Sequence, residues 1–189
     1  MSDIEKLLRE SGAVLEGHFL LTSGRHSDVY VEKFRLLENP EMVEKVGAML
    51  VEPYKHQNID MVAGAAVGGI LLSYSAAKCL STKGIFAERV DSSLKFKRGF
   101  ELPENGKILI VEDIITTGGS VLELIDLVKN GGSEPVGVSC IVYRSQDDVN
   151  FGVPINTLWR FPAVSWEPDE CPLCERGEPL TSRGRTGKK

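Results

Sequence analysis

The feature that most restricts the fold is a change of rhythm after Pro53. Short apolar runs at Ile59 to Ala63, Ile85 to Ala87, Ile108 to Val111 and Val136 to Val142 alternate with helical stretches at Ile70 to Leu80 and Val121 to Val128. A strand with one wet face alternates apolar and polar residues; these mostly apolar runs lack that alternation, as strands covered on both faces of a parallel sheet do. The pattern predicts an α/β fold: an open, mainly parallel sheet flanked by helices. Two helices are expected ahead of it. Ser2 and Glu5 form a capping box for Ile4, Leu7 and Leu8, with Gly12 as the stop. After an irregular segment, Asn39 caps a second helix that starts at Pro40 and ends at Pro53. A later helix, 120–130, stops at Gly131 and Gly132.

The chain has 189 residues, 42% of them hydrophobic, enough for one core without a disulfide or structural metal. Its net charge of −5 argues against gripping nucleic acid by bulk charge. Met61 to Ala77 carries no charge, but it is short for a membrane span and holds Gly64, Gly68 and Gly69. The first residues, Met1 to Glu5, have neither a basic nor an apolar character, so a cytoplasmic location and reduced thiols are expected. Cys79 and Cys140 read as small core residues. Cys171-x-x-Cys174 supplies two ligands and no histidine stands at a zinc spacing from it, so a tetrahedral site would need a second subunit and no protein-bound metal is expected.

Ligands of open parallel sheets bind at the carboxyl ends of the strands. Two of the loops there are unusual. Ala63 to Gly69 contains only small or apolar residues and leads into a helix, so its backbone N–H groups can approach an anion closely. In Ile108 to Ser120, an apolar strand delivers Glu112 and Asp113, and then Thr116, Thr117, Gly118, Gly119 and Ser120 open a helix. Hydroxyls, N–H groups and the helix dipole make a cradle for a phosphate dianion. No Gly-Lys-Ser/Thr and no Gly-x-Gly-x-x-Gly is present, which disfavours a P-loop and a dinucleotide fold. Carboxylates beside a phosphate cradle suit a phosphosugar, whose hydroxyls need acceptors and whose C1 becomes cation-like as its bond breaks.

Glu112 to Ser120 resembles the signature of the type I phosphoribosyltransferases, which use phosphoribosyl pyrophosphate with Mg²⁺. The resemblance implies that Glu112 and Asp113 hold the ribose hydroxyls and that Ile114, Ile115 and Thr116 to Ser120 surround the 5′-phosphate. Gly64 to Gly69 is similar to the family's pyrophosphate loop, placing Ala66, Val67 and Gly68 on the substrate. Phe19 to Tyr30 resembles the base-covering segment of the orotate-using branch. That implies Ser23, Gly24, Tyr30, Thr116 and Arg144 around orotate, the arginine meeting its carboxylate. The ending Trp166-x-Pro168-x-x-Cys171-Pro172-Leu173-Cys174-x-x-Gly177 is similar to one group within that branch.

The implied organisation is a single domain over 1–180, with an N-terminal hood at 1–38, a core sheet over 58–145, a mobile lid loop at 89–102 and a disordered tail at 181–189. Arg89, Lys95, Lys97 and Arg98 are the lid cations expected to meet pyrophosphate. Mg²⁺ is expected to arrive with the substrate, with no protein metal site. The implied partners are orotate, phosphoribosyl pyrophosphate and a second copy of the chain in a homodimer, with no nucleic acid and no membrane. Two alternatives stay open: Glu-Asp also occurs in hypoxanthine-guanine enzymes, which keeps a purine substrate, and a non-catalytic regulator could sense phosphoribosyl pyrophosphate.

Overall fold

The chain, described at residues 2–145, 148–161 and 164–183 of a computed structural model, opens as its capping signals dictate. Helix α1 (Asp3–Glu10) starts where Ser2 Oγ accepts from the Glu5 N–H, and it buries Ile4 and Leu8. The segment expected to be irregular is instead an antiparallel hairpin of β1 (Val14–Leu20) and β2 (His26–Val31). A bulge between Glu16 and Phe19 puts His18 and Phe19 both inside, which breaks the alternation by which a strand is recognised. After α2 (Phe34–Leu37) comes α3 (Pro40–Val51), capped by Asn39 Oδ1, which accepts from the N–H groups of Glu41 at 3.0 Å and Met42 at 3.3 Å.

The alternation then unfolds as β3 (Met61–Ala65), α4 (Gly68–Leu80), β4 (Lys83–Val90), β5 (Ser93–Phe96), β6 (Lys107–Ile115), α5 (Gly119–Asn130), β7 (Glu134–Tyr143) and β8 (Ile155–Arg160). These strands form a six-stranded sheet in the order β5-β4-β3-β6-β7-β8, parallel except for the edge strand β5. This is the open, mainly parallel α/β sheet that the alternation predicts. Its apolar runs serve two cores at once. Leu109 and Val111 pack with α1, α3 and α4 on one face, while Ile108 and Ile110 pack with α5 on the other.

Three expectations need correction. Residues 93–96 of the segment expected as a lid loop are a paired strand, joined to β4 by a tight turn in which Asp91 and Ser92 take φ of 49° and 70°. After the short helix α6 (Pro172–Glu175), Thr181 and Ser182 are not tail but a strand, β9 (Thr181–Ser182), parallel to β1 at Phe19 and Leu20; residues 184–189 lie outside the described residues. Cys79 is exposed on α4, its neighbours having taken the buried positions, whereas Cys140 is buried in the core. No helix among the described residues is long and apolar enough to cross a membrane.

The turn from β3 into α4 permits no side chain at its crossing point: a Cβ on Gly64 would lie 2.4 Å from the Gly69 carbonyl oxygen. Because backbone must move to admit even one methyl, Gly64→Ala is expected to cost about 1–3 kcal/mol. At roughly 2–4 °C per kcal/mol, a thermal melt should read a drop of several degrees.

Candidate active site

β6 stays apolar through Val111 and then presents two carboxylates, both buried. Burial alone would be costly for either charge, so each oxygen needs a partner. The Asp113 N–H donates to Glu112 Oε1 at 2.9 Å, and the Ile114 N–H donates to Asp113 Oδ1 at 2.6 Å. Asp113 Oδ2 meets Lys33 Nζ at 2.6 Å. Room for that carboxylate comes from Gly68, where a Cβ would stand 1.7 Å from Oδ2. Burial, and then the neighbouring Asp113 charge, push the Glu112 carboxyl up to about 8. Lys33 escaped the reading of the sequence: it is one cation in the mixed run Glu32-Lys33-Phe34-Arg35, and only the fold sets it against Asp113.

Around these acids lies a cleft of about 200 Å³. Ala66, Val67 and Gly68 form one wall, and Ile114, Ile115, Thr116, Thr117, Gly118, Gly119 and Ser120 another. The residues expected around the ribose and the 5′-phosphate, and Ala66 to Gly68 of the preceding loop, therefore line one space, whereas Lys95, Lys97 and Arg98 of the expected lid do not. Gly118, in the left-handed region at φ 77°, turns the chain from β6 into α5, and a Cβ there would press on Phe151 and Val149 at 3.0 Å. The turn exposes Thr116, Thr117 and Ser120 and directs the first N–H groups of α5 into the cleft.

A second cleft, about 550 Å³, opens beside the first and shares Thr116 and Thr117 with it. The remaining wall comes from the hairpin, through Leu21, Thr22, Ser23, Arg25 and Tyr30, and from Arg144, Ser145 and Ser165. Of the residues expected around the base, Ser23, Tyr30, Thr116 and Arg144 are here. Gly24 is not on the wall; it makes the hairpin turn at φ 86°, its N–H donating to the Leu21 carbonyl. Arg144 is set by its N–H, which donates to the Ile115 carbonyl at 2.7 Å. Its guanidinium is half-buried, burial lowers its pKa, and among the described residues it has no ion-pair partner.

The expected lid cations separate. Arg89 lines the acid cleft and bonds Glu123 Oε2 at 2.9 Å. Arg98 is spent on a two-pronged pair with Glu88, at 2.9 and 3.0 Å. Lys95 and Lys97 are exposed and stand off the cleft wall, because strand alternation in β5 and its continuation turns them outward.

A carboxylate pair, a hydroxyl cradle and an adjoining cleft on this sheet define a phosphoribosyltransferase, and the phosphoribosyl transferase domain family matches residues 34–150. Orotate phosphoribosyltransferase of Caldicellulosiruptor bescii is 44% identical over 97% of this chain and 96% of its own length. That of Thermotoga maritima is 42% identical over 98% of this chain and all of its own. The crystal structure of orotate phosphoribosyltransferase from Aeropyrum pernix shares the fold, with a TM-score of 0.71 over 84% of this chain and 93% of that one at 24% identity. The chain belongs to the orotate phosphoribosyltransferases, a branch of the phosphoribosyl transferase family.

The raised Glu112 pKa sets a pH test. The folded state favours the protonated acid, so this contribution to stability is full below the ordinary carboxylate range and is lost as pH rises through about 8. Glu112→Gln is therefore expected to raise the melting temperature of the ligand-free protein at alkaline pH and to give no gain near pH 4. An equal effect at both ends would show that the charge on Glu112 is not what burial disfavours.

Proposed function

We propose that this chain transfers ribose 5-phosphate from phosphoribosyl pyrophosphate to orotate, releasing orotidine 5′-phosphate and pyrophosphate, as a cytoplasmic homodimer. The observation that carries the reading is the pair of clefts meeting at Thr116 and Thr117. One offers acceptors for ribose hydroxyls and a phosphate cradle. The other holds Arg144, which has no ion-pair partner among the described residues and is matched to an anionic base. A neutral purine would leave that guanidinium unanswered, which favours orotate over hypoxanthine or guanine.

In this reading Thr116 to Ser120 anchor the 5′-phosphate through hydroxyls and N–H groups. Glu112 and Asp113 accept from the ribose hydroxyls and steady the positive charge that grows at C1 as the bond to pyrophosphate loosens. Lys33 holds Asp113 in place and offsets its charge while the substrate, itself strongly anionic, enters. Arg144 orients orotate so that a ring nitrogen faces C1 across the shared threonines. Two adjacent carboxylates already engaged by Lys33 and backbone N–H groups cannot encircle an octahedral ion. They fit a Mg²⁺ that brings phosphate and water ligands with it and that supplies, when bound, charge neutralisation on the departing pyrophosphate.

Mixing the protein with orotate, phosphoribosyl pyrophosphate and Mg²⁺ is expected to consume the ultraviolet absorbance of orotate, with hypoxanthine, guanine and uracil unchanged. Turnover of a purine instead would discard the role of Arg144, and no turnover with any base would favour a phosphoribosyl pyrophosphate sensor. Asp113→Asn is expected to lower turnover about 10²- to 10³-fold, the usual scale for one preorganised electrostatic contact. Lys95 and Lys97, exposed away from their own cleft, are proposed to reach the neighbour's. Mixing Asp113→Asn with a Lys95→Ala/Lys97→Ala variant should then restore activity, and failure would mean that each site is complete within one chain.

A further inference from the structure

The fold gathers four side chains that the proposed reaction does not use. His18 on β1, His26 at the start of β2, and Cys171 and Cys174 at either end of Pro172-Leu173 each direct one ligand atom inward, and the four atoms lie within 4.8 Å of one another. Three of the four residues are buried. This corrects the expectation that a tetrahedral set would need a second subunit. The hairpin brings two histidines, eight residues apart, to one end of a sheet that also receives the C-terminal segment, so one chain supplies all four. No spacing rule joins residues 18 and 171.

Four of the six separations lie close to the edges of a coordination tetrahedron, and none of the six exceeds 4.8 Å. His18 Nε2 is 3.0 Å from His26 Nδ1, 3.5 Å from Cys171 Sγ and 3.7 Å from Cys174 Sγ, and His26 Nδ1 is 3.3 Å from Cys174 Sγ. With zinc–nitrogen bonds of about 2.0–2.1 Å and zinc–sulfur bonds of about 2.3 Å, the edges of a tetrahedron come to roughly 3.3–3.8 Å. The support around the histidine agrees. His18 Nδ1 lies 2.8 Å from the Glu178 carbonyl, which can only accept, so Nδ1 carries the proton and Nε2 presents its lone pair to the cluster.

We propose that His18, His26, Cys171 and Cys174 bind one zinc ion within each chain, as a structural staple. Two thiols give up their protons on binding, and two thiolates and two neutral imidazoles around Zn²⁺ make a site of zero net charge, which a buried position tolerates. The staple joins parts that already touch. His26 and Trp166 exchange backbone hydrogen bonds, Arg25 reaches Ser165 and Glu167, and Ser27 Oγ donates to the Val164 carbonyl. Those contacts hold the hairpin turn that walls the second cleft, so the metal fixes that wall without touching substrate. The proposal does not rest on the reaction: an inactive protein that held zinc would sink the one and leave the other.

The test is elemental analysis of the full chain purified under reducing conditions without added chelator. About one zinc per chain is expected, together with the intense visible bands of tetrahedral thiolate coordination when cobalt(II) replaces it. Cys174→Ser should lose those bands and lower the melting temperature, Cys174→His should keep tetrahedral bands in altered positions, and Cys79→Ser should change nothing. Wild-type protein with negligible zinc and no cobalt bands would overturn the proposal, and so would a Cys171–Cys174 disulfide trapped by alkylation in freshly opened cells. Metal that survives Cys174→Ala in a folded protein would overturn it equally.

Discussion

Two adjacent acids at the buried end of a central strand are the constraint around which the rest is arranged. Strand β6 lies between β3 and β7, so its side chains have core on both faces until the sheet ends. Glu112 and Asp113 come before that end. Backbone N–H groups, Lys33 and the missing side chain of Gly68 each relieve part of their burial, and the part left unrelieved holds the Glu112 carboxyl up at about 8. Gly68 of the neighbouring loop thus answers to the Asp113 carboxylate. A fold with a bulkier β3–α4 turn could not place an acid at this point.

The sheet and the acid-and-hydroxyl loop were legible because both depend on neighbours in sequence. Apolar runs report burial on two faces, and Asn39-Pro40 or Gly118-Gly119 report a helix start within a few residues. The hairpin β1–β2 was not legible, since the bulge at Glu16 to Phe19 places consecutive residues on the inside and erases period two. Lys33 and the histidine pair were hidden for another reason. Their partners lie 80 or more residues away, and nothing in a run such as Glu32-Lys33 distinguishes a cation that meets a buried carboxylate from one that meets water. β9 is two residues long and takes its order from β1, not from its own composition.

The two clefts divide the molecule by origin. The cleft around Glu112 and Asp113 is made almost wholly by the β3–α4 and β6–α5 turns, short loops held at both ends by regular structure. The second cleft is assembled from a hairpin turn, the end of β7 and the segment before α6. Rigid turns suit a ligand group shared by all reactions of this kind, and the more loosely derived wall suits the part that differs from base to base.

Pairing of β9 with β1 brings the beginning and the end of the described chain into one small sheet, and the same two regions wall the second cleft through Ser23 and Ser165. A ribosome makes these regions well over a hundred residues apart. While the chain is being synthesised, every residue that lines the first cleft has been made once Val121 is added. The second cleft needs Ser165 as well, so a nascent chain has made the whole lining of the first cleft some forty residues before that of the second.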